Sequence, residues 1–452
     1  MWCKLWFFGA ISVLASIVRA SDDDVVYCNS TAGACPDDMP CCSQYGVCGS
    51  GSYCLGGCDP RYSYNLTACM PMPICKDSQT IFNNYSSKMK SQYSYLGDAE
   101  ANAWIYDGHV LDDTDDEALI LAMPKDSSTL MSSTRYMWYG KVSARMKSSH
   151  RAGVVTAFIL FSSVQDEVDY EFIGSNLTNV QTNYYFEGGL NWTHSTNVST
   201  TNTFDNYHDY EVDWHEDHIS WIVDGEVART LYKNTTYNAT SGDYDFPQTP
   251  SRVQFSLWPG GANTSSYWTK VWAGGEIDWN ASDIQDPGYY YARLQSVNIT
   301  CYDPPAGTTK NGSNAYKYVN RKNFTLSGVE FTDDTTVMGS LADTGFDPDE
   351  GKSSSSSASS TSSRKSTTQS ANHKKTSTTS TATGDAAAAS TSDSSASSEG
   401  QTGFVQNMQS TSGAKTGSST QNSTGGAASF SVGSNTLMHI LAVVVGLASA
   451  IV

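Results

Sequence analysis

Alternating apolar and polar residues restrict the fold of this chain more than any other feature of its sequence. The alternation runs from about Thr80 to Cys301 in short segments such as VVTAFILFSS, HISWIVDGEVART and RVQFSLWPGG, separated by Gly, Asn and Asp. A period of two with frequent turn residues is typical of antiparallel strands, and no segment keeps a helical period. We therefore predict an all-β protein built on an antiparallel β-sandwich, with Asp224 and Gly225 as a two-residue hairpin turn.

A cluster of cysteines precedes this region. Nine cysteines lie between residues 28 and 75, and Cys301 follows far along the chain. A segment so short and so poor in aliphatic residues needs disulfides to hold a shape. Metal binding is the competing use of cysteine, but the segment contains no His. We predict a disulfide-rich module over residues 21–75, followed by the sandwich domain over residues 76–302.

Both ends of the chain carry targeting patterns. Residues 1–20 contain an early Lys, an apolar stretch and then Val18 and Ala20 at the small-residue positions, which predicts a signal peptide cleaved after Ala20; an uncleaved membrane anchor is the alternative. Residues 426–452 place small residues and a polar spacer before a short apolar end, which predicts a GPI-attachment signal; a single transmembrane helix is the alternative. We expect a secreted protein held in the cell wall and at the outer face of the plasma membrane.

Low-complexity sequence separates the sandwich from the C-terminal signal. Residues 351–425 are almost entirely Ser, Thr, Ala, Gly and Lys, and such a segment buries too little apolar surface to fold. We predict a disordered stalk there. Residues 303–350 either continue the sandwich or begin the stalk. Asn-x-Ser/Thr sequons from Asn29 to Asn422 predict a glycoprotein.

The charge of the chain excludes some partners and favours others. There are 27 Lys and Arg residues against 46 Asp and Glu, a net charge of -19, which argues against a nucleic-acid partner. Aromatic residues make up 12% of the chain, and Ser, Thr, Asn and Tyr carry most of its polarity. Such side chains suit a carbohydrate partner. We predict a monomer that uses no cofactor and no metal.

The run CCSQYGVCGSGSYC, from Cys41 to Cys54, resembles hevein-type chitin-binding modules of carbohydrate-binding module family 18. The resemblance implies that Ser43, Tyr45 and Tyr53 bind N-acetylglucosamine, through a hydroxyl and two ring faces. The alternative is a disulfide knot that only caps the next domain.

Three acids in the segment QDEVDYEF form the strongest candidate for an active site. In a strand, Glu167, Asp169 and Glu171 lie on one face while the apolar residues between them enter the opposite layer. Like charges at this spacing repel, and such an arrangement usually has a function. Retaining glycosidases need one ionised carboxylate and one carboxylic acid with a raised pKa across the scissile bond. A solvent-facing acidic strand is the alternative.

The acid segment resembles the Glu-x-Asp-x-Glu signature of glycoside hydrolase family 16. The resemblance implies a jelly-roll sandwich in which Glu167 is the nucleophile, Asp169 assists it and Glu171 is the general acid/base. Further residues match the family in order: Gln181, Asn183, Tyr184, Tyr185, His208, Asp213, Trp214, Trp258, Trp272 and Trp279. Among these we predict that five residues bind substrate: Asn183, Tyr184, Trp214, Trp258 and Trp272. We expect Trp279 to lie in the core.

The combination of hevein-like head, family 16 domain, Ser/Thr stalk and lipid anchor resembles the fungal cell-wall transglycosylases of the Crh type. That resemblance implies a retaining enzyme which cleaves chitin and joins it to a β-1,3- or β-1,6-glucan or to another chitin chain. A β-glucan or chitin hydrolase with the same catalytic residues is one alternative. A wall-binding structural glycoprotein without activity is the other.

Overall fold

A computed structural model describes residues 25–349. The predicted signal peptide (1–20), stalk (351–425) and GPI-attachment signal (426–452) lie outside the described residues. Within residues 25–349, every helix is too short or too polar to cross a bilayer.

Strands account for almost all of the regular structure in this part of the chain. The strands in chain order are β1 Cys41–Cys42, β2 Cys48–Gly49, β3 Met72–Pro73, β4 Ser78–Ile81, β5 Lys90–Ser91, β6 Trp104–Asp107, β7 His109–Asp113, β8 Ala118–Pro124, β9 Thr129–Ser133, β10 Gly140–Lys147, β11 Val154–Ser162, β12 Glu167–Ile173, β13 Asn179–Tyr185, β14 Thr196–Ser199, β15 His208–Trp214, β16 His218–Val223, β17 Glu226–Tyr232, β18 Tyr237–Asn238, β19 Asp243–Tyr244, β20 Ser251–Pro259, β21 Tyr289–Cys301, β22 Lys310–Asn311, β23 Ala315–Tyr318 and β24 Val329–Thr332. Two short helices, α1 Tyr267–Trp272 and α2 Ser282–Gln285, follow β20.

Two large sheets form the body of the protein. Sheet A has the strand order β14-β13-β12-β11-β20-β9-β6-β5. Sheet B has the order β17-β16-β15-β10-β21-β8-β7, and β4 also pairs with β21. Apart from the short β5–β6 pair, neighbouring strands in both sheets are antiparallel. The predicted all-β antiparallel sandwich is confirmed.

Aromatic side chains fill the space between the two sheets. Phe158 and Tyr170 of sheet A are fully buried, and the ring of Tyr170 lies edge-on to Tyr210 of sheet B. The Tyr170 hydroxyl donates hydrogen bonds to the carbonyl oxygens of Glu211 and Ile222, both at 2.9 Å. These bonds satisfy a buried hydroxyl and fix which face of β12 meets sheet B.

The hairpin between β16 and β17 has the predicted turn. Asp224 and Gly225 are the two residues between the strands, with φ angles of 51° and 83°. Positive φ at both positions is the requirement of a type I′ turn, which matches the twist of the flanking strands.

The cysteine-rich head is held by four internal disulfides, which join Cys28 to Cys42, Cys35 to Cys48, Cys41 to Cys54, and Cys58 to Cys69. These bonds consume the sulfur atoms of the closely spaced Cys28, Cys35 and Cys42, so the thiolates that a metal would need are not present.

Residues 303–349 form a small sheet of their own with the end of the head. Its strand order is β22-β24-β23-β3. Strand β3, Met72–Pro73, belongs to the end of the cysteine-rich head. The same segment also bonds to the head directly, because Gly345 N donates to Ala68 O and Gly51 N donates to Asp343 O. The segment is therefore packed structure rather than the start of a stalk.

A fifth disulfide, between Cys75 and Cys301, closes a loop of 226 residues around the whole sandwich. Loop-closure entropy predicts that removing it with Cys75→Ala and Cys301→Ala lowers the free energy of unfolding by about 5 kcal/mol, against about 3 kcal/mol for removing Cys58–Cys69, which closes 11 residues. Urea denaturation of the two double variants measures both values. Equal losses, or the reverse order, would contradict this explanation.

Candidate active site

The three predicted acids lie together on the outer face of β12. Val168 and Tyr170, which alternate with them, belong to the core between the sheets. Because side chains alternate along a strand, Glu167, Asp169 and Glu171 point to the side of sheet A that faces away from sheet B. The three acids therefore share one face of β12.

An apolar strand lies on one side of the acids. On β11, Phe161, Ile159 and Ala157 stand opposite Glu167, Asp169 and Glu171 respectively. Directly opposed residues in an antiparallel pair point to the same face of the sheet. The acids therefore border an apolar floor that could contact the C–H surface of a sugar ring.

A polar strand lies on the other side. On β13, Tyr185, Asn183 and Gln181 stand opposite Glu167, Asp169 and Glu171. The Asn183 side-chain amide donates to the Tyr185 hydroxyl at 2.8 Å. Asn183, predicted to bind substrate, is thus beside the middle acid.

Burial raises the pKa of all three acids. None is more than 1% exposed. Burial, followed by repulsion from Asp169, holds the pKa of Glu167 and that of Glu171 well above the usual range. Burial raises the pKa of Asp169 to about 7, although the neighbouring Glu167 side chain and the nearby Arg229 charge oppose the rise.

Glu167 and Asp169 are two residues apart on the same strand face. The carboxylate oxygens of the three acids have no hydrogen-bonding partner within residues 25–349. The site therefore holds a potential nucleophile and, in Glu171, a neutral carboxylic acid on the same strand face.

The raised pKa of Asp169 predicts how stability depends on pH. In the unfolded chain an Asp loses its proton near pH 4, whereas folded Asp169 keeps it until about pH 7. The folded state thus binds the proton more tightly, and stability falls as pH rises from about 4 to about 7. We expect Asp169→Asn to remove up to about 4 kcal/mol of this fall.

Urea denaturation at pH 4 and pH 7.5 measures the effect. Asp115→Asn is the matched control, because Asp115 is exposed on a turn. An Asp169→Asn variant with the same pH dependence as the native protein would contradict the assignment.

Asp166 is a buried acid whose role was not predicted from the sequence. Its carboxylate accepts hydrogen bonds from the backbone N–H groups of Glu187, Gln248 and Thr249 at 2.9–3.1 Å, and from the Thr249 hydroxyl at 2.7 Å. Asp166 therefore ties the start of β12 to two loops. No sequence pattern marks it, because its partners are distant backbone groups.

Two predicted tryptophans lie on the outer face of sheet A. Trp258 and Trp272 stack with ring centroids 6.0 Å apart, in a cluster with residues of β11. The Trp272 indole N–H donates to Gln181 Oε1 at 2.9 Å, next to Glu171. Both tryptophans thus border the Glu171 end of the acids, although each is at most 5% exposed.

Two predicted substrate-binding residues are placed elsewhere, and those predictions are wrong. Trp214 is fully buried in sheet B, where its indole N–H donates to Pro247 O at 3.1 Å. Tyr184 lies in the core on the opposite face from Asn183, stacked on His194. Alternation along β13 excludes Tyr184 from the acid face once Asn183 is on it.

Two other residues that match the family, His208 and Trp279, are surrounded by side chains of the protein. His208 lies between Asp224, at 2.7 Å, and the hydroxyl of Thr201, at 2.9 Å. Trp279 packs against the core between the sheets, as expected.

The predicted chitin-binding residues of the head differ in their surroundings. Ser43 is largely buried, and its hydroxyl accepts a hydrogen bond from Val47 N at 3.3 Å. The pKa of Tyr45 is well above its usual value because its hydroxyl is buried and lies near Asp107. Tyr53 is 37% exposed. Chitin binding by these three residues stays a prediction, and Tyr53 is the most accessible of them.

The head also reaches the face of sheet A that carries the acids. Gln44 Oε1 accepts hydrogen bonds from Arg252 Nη2 at 2.6 Å and from Gln254 Nε2 at 3.1 Å. A second contact fixes the head nearby, since Gly57 N donates to the Tyr136 hydroxyl at 2.7 Å.

Arg252 and Gln254 belong to a set that we name the β20 row: Arg252, Gln254, Ser256 and Trp258. Across β11 these residues are in register with the acid strand, so they share its outer face. The first three of them were not predicted from the sequence. The signal was visible in RVQFSLW, where polar residues alternate with Val, Phe and Leu.

Comparison with known proteins gives consistent matches. The sequence profile of the glycosyl hydrolases family 16 matches residues 98–281. "Congo red hypersensitive protein 2" of Saccharomyces cerevisiae is 54% identical over 350 residues, covering 77% of this chain and 74% of the relative. "Crh-like protein UTR2" of Candida albicans is 49% identical over 361 residues, covering 77% and 76%. A solved structure titled "Apo Crh5 transglycosylase" has 27% identity and a TM-score of 0.48, covering 61% of this chain and 100% of that one.

The sandwich, the row of buried acids and these relatives define the class as a glycosidase or transglycosylase acting on glycosidic bonds. The chain belongs to glycosyl hydrolases family 16 and is similar to its Crh-like members.

Proposed function

We propose that this chain is a retaining transglycosylase that cleaves chitin and transfers the released chain to β-glucan or to a second chitin chain. The observation that carries the proposal is the placement of Glu167, Asp169 and Glu171 on one buried strand face. An acidic strand exposed to solvent has no such burial, and a purely structural role gives no reason to bury three unneutralised carboxyl groups.

The first half of the reaction forms a bond between enzyme and sugar. The Glu167 carboxylate attacks the anomeric carbon, while the Glu171 carboxylic acid gives its proton to the bridging oxygen as the glycosidic bond breaks. The leaving chain departs with a new hydroxyl. Asp169 lies beside the nucleophile on the same strand face, where it assists Glu167.

The second half reverses these roles. The Glu171 carboxylate removes a proton from a hydroxyl of the acceptor sugar, whose oxygen then attacks the same anomeric carbon. The ester to Glu167 breaks, and its carboxylate is restored. Two inversions retain the original configuration. A bound acceptor chain outcompetes water because it is held at a high effective concentration.

The sequence outside residues 25–349 supports a cellular location for this activity. A signal peptide over residues 1–20 and a GPI signal over residues 426–452 would hold the enzyme at the wall and the outer membrane face, where insoluble polymer is its substrate. The similarity to Crh-like relatives agrees with a fungal cell-wall protein.

Incubation with a chitin oligomer and a fluorescent β-1,3-glucan oligomer tests the proposal. We expect labelled hybrid chains whose new linkage has the β configuration, resolved by chromatography and proton NMR. Glu226→Gln is the matched control, since Glu226 is exposed at the β16–β17 hairpin, and it should form hybrids at the native rate. Shortened oligomers without hybrids would contradict transfer, and an α linkage would contradict retention.

A further inference from the structure

We propose that the β20 row recognises the acetamido group of an N-acetyl sugar and that Gln44 of the cysteine-rich head positions it. The inference rests on the proposed function, because it names residues that would select chitin as the donor. It also gives the head a part in the active site that does not require independent binding to chitin.

The row lies within reach of a sugar chain bound at the acids. Gln254 is in register with Asp169 across Ile159, and Ser256 is in register with Glu171 across Ala157. Two strand spacings separate β20 from β12, about 10 Å. A chain that crosses the apolar floor of β11 from the acids therefore meets the β20 row next.

Each residue of the row has a buried polar atom with no partner. Within residues 25–349, nothing bonds to Arg252 Nε, Gln254 Oε1, Ser256 Oγ or Trp258 Nε1. All four residues are at most 3% exposed. Buried polar groups are almost always satisfied in folded proteins, so a row of exceptions on one sheet face indicates that a ligand completes these bonds.

The chemistry of the free atoms fits an acetamido group. That group presents one N–H donor, one carbonyl acceptor and a methyl. Gln254 Oε1 can accept from the N–H, while the hydroxyl of Ser256, the next residue on the same face, can donate to the carbonyl. Ile159 and Ala157, beside them on β11, offer an apolar surface for the methyl. A sugar hydroxyl alone cannot supply all three contacts.

Gln44 fixes the direction of the Gln254 side chain. The two hydrogens of Gln254 Nε2 are donated to Gln44 Oε1 and to Ser132 Oγ, each at 3.1 Å. The amide oxygen of Gln254 is thereby left as the free acceptor. Because the same Gln44 oxygen also holds Arg252, the head orients two neighbouring members of the row, and Gln44 is a positioning residue.

The test compares chitin oligomers with glucosamine oligomers of equal length, which lack the acetyl group. We expect the native enzyme to prefer the acetylated oligomer in kcat/KM. Gln254→Leu should lower that preference about tenfold, and Ser256→Ala and Gln44→Leu by a few-fold, as expected for the loss of one hydrogen bond each. Gln79→Leu, at an exposed Gln on β4, is the matched control and should keep the native preference.

Binding is measured separately by calorimetry in a Glu167→Gln background, where no turnover occurs. The ratio of the Kd values for the two oligomers should change in the same direction as the preference in kcat/KM. Ser256→Ala keeps the test decisive if a larger change unfolds the protein, because its hydroxyl has no partner to lose.

An unchanged Kd ratio in Gln254→Leu and Ser256→Ala would overturn this inference. A change in both Kd values by the same factor would do so too, since that is the result of a merely structural role. A native enzyme that processes neither oligomer would instead overturn the proposed function, while the Kd ratio still decides the role of the β20 row.

Discussion

Glu167→Gln is expected to lower hybrid formation by at least about a thousandfold, because the amide cannot form the ester on which both halves of the reaction depend. The substitution keeps the size of the side chain and places a neutral amide beside Asp169. The folded state should therefore persist, and thermal unfolding should be close to that of the native protein. The rate of hybrid formation from a chitin oligomer and a labelled glucan oligomer measures the loss.

Reaction of Glu167→Ala with azide identifies the role of the missing carboxylate. With an activated aryl chitin oligomer and Glu167→Ala, azide can enter the space of the missing carboxylate and attack the anomeric carbon directly. One inversion then gives an α-glycosyl azide. A β-glycosyl azide, or activity that survives Glu167→Gln, would show that Glu167 is not the nucleophile.

Glu171→Gln is expected to lower the reaction on natural sugar leaving groups by about 10²- to 10⁴-fold, the usual contribution of a positioned general acid. Burial holds the pKa of Glu171 well above its usual value, so Gln closely matches the neutral acid in shape and charge. The stability of the variant should therefore change little. Steady-state kinetics with unsubstituted oligomers measures the loss.

The leaving group separates this role from that of Glu167. A dinitrophenyl leaving group departs without a proton, so the bond-breaking step of Glu171→Gln should be nearly restored with it, whereas Glu167→Gln stays inactive. In Glu171→Ala, azide acts on the covalent intermediate and should give a β-glycosyl azide. Equal losses with both leaving groups would exclude Glu171 as the acid.

Most features that could be predicted from the sequence were visible as residue patterns along single strands. Period two fixed the class of fold, and the same alternation placed Glu167, Asp169 and Glu171 on one face. Burial of Trp214 could not be predicted, because a tryptophan on a strand has the same pattern whether its face meets the other sheet or a ligand. Adjacent residues of a strand point to opposite faces, so Asn183 and Tyr184 could not both be expected to face the substrate.

Contacts between distant segments were beyond the reach of sequence patterns. Gln44 meets Arg252 and Gln254 across more than 200 residues, and nothing near Gln44 indicates the partner. The pairing of Cys75 with Cys301 was equally open, as was the sheet that residues 303–349 form with the end of the head. Such contacts depend on three-dimensional packing, whereas local periodicity reports only the direction of each side chain.

The Cys75–Cys301 bridge also has a consequence for proteolysis of a cell-wall enzyme. A single cut in any surface loop between these residues, for example in the loop that follows β13, produces two pieces that stay covalently joined. Hydrogen bonds along the strands would keep the nicked pieces in register. Such damage becomes visible on a denaturing gel only after reduction, and a nicked molecule can remain in place in the wall as a working catalyst.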